Sequence, residues 1–224
     1  MERSAFLTRL RAAGGRGAPP NLSHPIEPMP GGPGAIPAVA HLRLDEPAPD
    51  VFAVQAAAHA WTVRRVPGDG ALEAVVAEVV TAERVGKVVL SADPEVECLA
   101  AQLRSLGVEV LDGRAPADAA GADLGITGAL FGLAATGSVA VAAGRAGGRS
   151  VSLLPPVHLA LVPASRVVRS ASDVWRRMPE HFPDRPPSQL VFISGPSRSA
   201  DIEFTLTVGV HGPKRVWLAL LDDA

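Results

Sequence analysis

Residues 193–213, ISGPSRSADIEFTLTVGVHGP, bring together more groups suited to holding an anion than an ordinary strand-turn segment does. The apolar run Leu190-Val191-Phe192-Ile193 ahead of them reads as a buried strand, and Ser194-Gly195-Pro196-Ser197 as a turn that opens a helix. A helix start presents unpaired N–H groups and the positive end of its dipole, so an anion at residues 197–200 would be held by backbone alone. Arg198 adds a forked cation at the same place. The same residues also fit a plain strand-to-helix connection capped by Ser199, with Asp201 and Glu203 complementing the dipole.

Other residues with chemistry lie upstream. Gly132-Leu-Ala-Ala-Thr-Gly137-Ser138 has the glycine spacing of a phosphate loop but no lysine where Ser138 stands, so the nucleotide-triphosphatase reading fails. What survives is the small turn Thr136-Gly137-Ser138, whose amides and hydroxyls could meet a ligand or simply join two strands. Arg145 and Arg149 flank a glycine-rich turn from which a guanidinium reaches a carboxylate or phosphate in bidentate fashion, unless both are solvated loop residues. His158 opens an apolar strand and suits either a general acid/base or a hydrogen-bonded core histidine. His211 is expected at a helix end, against the terminal carbonyls. His24 and His41 have no partner at ligand spacing and read as surface residues. Nothing among the six histidines has metal spacing, no G-x-G-x-x-G follows a strand, and the serines lack a nucleophile elbow. No metal and no cofactor is therefore expected.

Composition narrows the class. A chain of 224 residues, 47% hydrophobic, can bury a full core as one α/β domain with an N-terminal extension. A net charge of −2, 4% aromatic residues and no tyrosine exclude a nucleic-acid surface of basic and stacking side chains. The single Cys98 cannot form an internal disulfide or ligate a four-cysteine cluster and is expected as a small core residue. The N-terminal MERSAFLTRLRAAGGRG lacks the apolar core of a secretory signal, so a cytoplasmic location is expected. Residues 124–144 carry no charge and contain a GxxxG pattern, but they are mostly Gly, Ala, Ser and Thr. They read as a buried strand, a tight turn and a second buried strand, not as a membrane span.

The elements that must position these groups follow from periodicity. Residues 2–13 suggest a short amphipathic helix, and residues 14–49, thick with Pro and Gly, a long arm. Residues 1–50 are thus expected as helix and arm, and 51–224 as a single α/β domain. Asp50 is placed to cap a helix over 51–60, with a strand over 61–66. A helix over 71–84, the strand Lys87–Leu90, a helix from Asp93-Pro94 to about Leu106 and a strand over 108–111 form βαβ units. Residues 123–127, 138–142, 150–154 and 158–162 read as strands. Residues 170–178 read as a helix with Trp175 on its apolar side, and 216–221 as a last strand. The predicted fold is an open, mostly parallel sheet with helices on both faces, and some antiparallel pairing between Ser138 and Val162.

Three segments, DLGITGALFGLAATGSVAV, RSVSLLPPVHLALVPASRVV and ISGPSRSADIEFTLTVGVHGPKRVWLALL, together resemble the LUD domain, the family of lactate utilisation protein C. The likeness is close over residues 124–221 and loose before them. It implies a fold related to the group of sugar-phosphate isomerases, CoA transferases and formyltetrahydrofolate cyclo-ligases. It also implies a non-redox subunit acting with an iron–sulfur protein and a second lactate-utilisation subunit in oxidising L-lactate to pyruvate. Thr136, Gly137 and Ser138 align with a motif that commonly reads A-E-T-G followed by Thr; here Ala135 replaces the glutamate and Ser138 the threonine. Arg149, His158, Ser194, Gly195, Pro196, Ser197, Arg198, Asp201 and Glu203 match the family pattern and form the expected site, with a small anionic ligand as its expected occupant. Asp201 and Glu203 could instead hold Arg149 or Arg198 in place. The alternative is a stand-alone enzyme or ligand-binding domain for a phosphorylated, CoA-linked or folate-like molecule.

Overall fold

The computed structural model describes residues 46–113, 115–143, 149–200, 206–209 and 211–222. The suggested helix at 2–13, most of the arm, His24, His41, Arg145, Asp201 and Glu203 lie outside them. In chain order come α1 (Ala48–Ala58), β1 (Thr62–Val66), α2 (Asp69–Glu83), β2 (Lys87–Leu90), α3 (Pro94–Glu97), α4 (Leu99–Ser105) and β3 (Glu109–Leu111). They are followed by α5 (Pro116–Gly121), β4 (Leu124–Gly128), β5 (Phe131–Leu133), β6 (Ser138–Ala142), α6 (Ser150–Leu153) and β7 (Val157–Pro163). A 3₁₀ turn, β8 (Val167–Val168), α7 (Ala171–His181), β9 (Leu190–Ile193), β10 (Arg198–Ala200), β11 (Leu206–Val208) and β12 (Arg215–Leu221) complete the described chain.

Six strands form one sheet in the order β1-β12-β7-β4-β2-β3, parallel throughout. Successive side chains of a strand leave on opposite faces, and the burial follows that rule. Leu159 and Leu161 join one core with Trp217 and Ala219, while Ala160 and Val162 join another with Val216, Leu218 and Leu220. The first core is closed by Val75, Val76 and Val79 of α2 and by Leu99 and Leu103 of α4. These residues recur at helical spacing, and each fully buried one contributes about 1.5–3 kcal/mol. The opposite face is covered by Phe52 and Ala56 of α1, by Ala119 and Val151 from α5 and α6 beneath Val89, and by a second sheet. Helices on both faces of a parallel sheet are thus as the periodicity predicts.

The second sheet has the order β8-β5-β6-β9, and α7 packs Val174 and Met178 onto Phe131, Leu133 and Ala140 of it. Antiparallel pairing lies here, between β6 and its neighbours β5 and β9, and not among the segments between Ser138 and Val162 as expected, since residues 150–153 are helical and β7 has only parallel partners among the described strands. Residues 124–142 therefore give three strands in two sheets. Their small residues follow from this crossing: a side chain at Gly132 would press on the Phe52 ring, and one at Gly137 would overlap the α1 backbone at Ala56. No described helix is long and apolar enough to cross a membrane.

Several local expectations change. Residues 150–153 are helical, not a strand, because Gly125 of β4 lets the backbone of α6 descend onto the sheet; a side chain there would overlap the Val151 carbonyl. α1 begins at Ala48 with Pro49 in its first turn, so Asp50 does not cap it and instead pairs with Arg65. The helix at 94–106 is broken at Cys98, whose thiol is exposed rather than in the core. Trp175 is 58% exposed, because α7 turns Val174 and Met178 inward instead.

Candidate functional site

β9 is half-buried rather than buried, with Phe192 39% exposed. Beyond it the turn at Ser194 to Ser197 does not open a helix. Arg198 begins β10, which pairs antiparallel with β11, so the turn leads into a strand and not into a helix. The turn is positioned by other means. Gly195 has φ +101, in the region that favours glycine, and lies so close to His59 at the end of α1 that a side chain would overlap the His59 carbonyl. The Ser197 N–H donates to Pro213 O and the Gly209 N–H to Ser197 O, both at 2.9 Å, tying the turn to the segment before β12. His211 lies in that segment, exposed and at no helix end.

These elements enclose a groove of about 550 Å³, within the range of small-ligand clefts. Arg149, Ser194, Gly195 and Ser197 line it together with His211, Ser152, Leu153 and β9. A chain of hydroxyls leads to its edge: Thr136 Oγ1 to Ser138 Oγ and Ser138 Oγ to Ser194 Oγ, each 2.7 Å. Thr136 and Ser138 are therefore coupled to the groove through Ser194 without lining it. Gly137, at φ +58, turns the chain between them. Arg198 is exposed and outside the lining.

His158 is placed apart, with 0% of its surface exposed and no lining role in any described cavity. Its Nε2 lies 2.9 Å from Thr127 Oγ1, its Nδ1 has no hydrogen-bond partner, and its ring sits 6.2 Å from that of Trp61. Burial disfavours the imidazolium and pulls the group from 6.5 down to about 4, so it is neutral near pH 7.

A second polar cluster has no local signature in the sequence. At the C-terminal ends of β2 and β4, the Asp93 carboxylate accepts from Ser91 Oγ at 2.6 Å and from the Gly128 N–H at 3.2 Å. Beside it Arg166 donates to Glu95 at 2.7 Å and to Ala129 O at 3.0 Å. The Asp-Pro pair signals only a helix start locally, and Arg166 comes from 71 residues beyond Glu95. The space among them is about 10 Å³, room for roughly one water.

The fold is similar to that of a DUF162 family protein from Deinococcus radiodurans. The two match with a TM-score of 0.57 at 22% identity, over 78% of this chain and 96% of that one. Residues 51–221 match the LUD domain family model, and the chain belongs to that family. Among its relatives are proteins called lactate utilization protein C. That of Halalkalibacterium halodurans is 47% identical over 106 residues, 46% of this chain and 45% of that protein. Those of Shouchella clausii and Bacillus subtilis are 44% and 43% identical, over 46% of this chain and 45% and 43% of theirs. The match thus spans a little under half the length of these relatives.

Proposed function

We propose that the chain is a lactate-utilisation protein, a non-redox subunit that acts with an iron–sulfur protein and a second subunit in oxidising L-lactate to pyruvate. The reading is carried by the 36–47% identity to proteins called lactate utilization protein C. The chain's own chemistry is compatible with it. Oxidising a 2-hydroxy acid to a 2-keto acid releases two electrons and two protons, and one cysteine cannot ligate a four-cysteine cluster to take them up. The electrons then go to the partner, while this chain serves as a binding subunit, with the Arg149 guanidinium lining its groove.

The test is genetic and biochemical. Expression in a bacterium lacking its own lactate utilization protein C restores growth on L-lactate, and the tagged chain retains the iron–sulfur protein on purification. Failure of both, with the chain folded and present, refutes the reading. Thermal stabilisation by ATP, CoA, a folate or a sugar phosphate, lost in Arg149→Ala, would instead favour a stand-alone small-molecule site.

A further inference from the structure

Five consecutive residues, Gln189, Leu190, Val191, Phe192 and Ile193, line the groove. A strand turns alternate side chains to opposite faces, so neighbours in unbroken succession meet one cavity only along the strand's edge. Among the described residues β9 is an edge strand of its sheet, paired with β6 alone. The direction of its free groups is determined by register. Ala143 donates its N–H to Gln189 O directly opposite, at 2.9 Å. Hydrogen-bonded pairs alternate in an antiparallel ladder, which makes Val141 with Val191 and Val139 with Ile193 the bonded pairs. The N–H and C=O of Leu190 and Phe192 therefore point away from β6, along the groove, and no backbone group takes them up among the described residues.

An unguarded edge of this kind is a template for another strand, and folded proteins usually blunt it with Lys, Pro or a charge. LVFI carries none of these. Arg149, Ser152 and Leu153 line the groove with β9, and it runs beside that strand for roughly 17 Å, the length of five extended residues. Its rim is cationic. Arg149 lines it, Lys214 lines the adjoining cavity of about 460 Å³, and no carboxylate lines either among the described residues.

We propose that this groove receives an extended, acidic segment of a partner protein as a fifth strand of the second sheet. The segment bonds to Leu190 and Phe192 through its backbone, covers the exposed Phe192 ring with an apolar side chain, and sets carboxylates against Arg149 and Lys214. Strand addition supplies affinity through the main chain and specificity through alternate side chains. A second copy of this chain is the poorer occupant, because it would bring the same cationic rim against its own. The inference rests on the subunit reading and names the place where a partner docks.

Panning a random twelve-residue phage library on the full chain tests it. Enriched sequences are expected to alternate apolar residues with Asp or Glu. The best peptide should slow amide hydrogen exchange at Leu190 and Phe192 and leave Val191 and Ile193 unchanged. Phe192→Pro removes one outward N–H at an edge position that tolerates proline, and should weaken binding by about tenfold or more with the chain still folded. Arg149→Glu should turn selection away from acidic peptides, and it carries the test alone should Phe192→Pro fail to fold. Enrichment no better than background, binding without protection of these two amides, or their protection by self-association without peptide each overturns the proposal. Complete displacement of the peptide by millimolar lactate, pyruvate or phosphate does the same. If both variants still restore growth on lactate and retain the iron–sulfur protein, the docking site fails while the lactate reading stands. Peptide selection without restored growth has the opposite meaning.

Discussion

His158 gives a prediction whose size follows from its surroundings. Its imidazole is fully buried, meets Thr127 through Nε2, and is pulled down to about 4 by desolvation, whereas an unfolded chain leaves histidine near 6.5. The folded-state value is the lower one, so above pH 6.5 both states hold the neutral ring and the stability is fully present. As pH falls below 6.5 the unfolded state binds a proton that the folded state refuses, and stability is lost progressively until about pH 4. Each pH unit in that window is worth about 1.4 kcal/mol, so the loss approaches roughly 3 kcal/mol. Urea unfolding at a series of pH values, for the wild type and His158→Gln, isolates the effect because the other titrating groups are common to both. The difference between the two free energies should shrink by roughly 3 kcal/mol from pH 7 to pH 4. A difference that stays constant with pH, or a His158 imidazole that titrates near 6.5 by NMR in the folded protein, refutes the reasoning.

Gly195→Ala places a side chain against the His59 carbonyl at a backbone conformation costly for alanine, and should destabilise by about 2 kcal/mol or more, read as a melting temperature roughly 4–8 °C lower. The Asp123 carboxylate accepts the N–H groups of Gly86 and Lys87 at 2.9 Å each, so Asp123→Ala should cost about 1 kcal/mol, with Asp123→Asn recovering part of it in denaturant titration. Ala135 is partly exposed at the β5–β6 turn and uses its N–H on Arg169 O, so Ala135→Glu should change stability by no more than about 0.5 kcal/mol. A larger loss would show that the turn is closed to a longer side chain.

The six-stranded parallel sheet was legible because its signals are local. Lys87–Leu90, Val157–Pro163 and Arg215–Leu221 are short apolar runs, and Gly107 and Asp93-Pro94 punctuate the helices between them. Burial on both faces leaves no other use for such runs. Locally consistent patterns of this sort survive whatever the rest of the chain does.

What only the tertiary structure decided are the places where two distant backbones meet. SVSLL alternates like a strand but is helical, because Gly125 opens room for α6 upon the sheet. Ser197 to Ala200 resembles a helix start, yet the backbone bonds of Ser197 go to Pro213 and Gly209, and Arg198–Ala200 pairs with a later strand. The groove joins Arg149, Ser194, Ser197 and His211, and their spacing in the chain carries no sign that β9 leaves one edge open beside them. Residue type by itself determined that this chain offers hydroxyls, guanidinium groups and a single thiol. Long-range packing decided which of them share a surface, since the energy of that arrangement belongs to contacts between segments and to none of the segments alone.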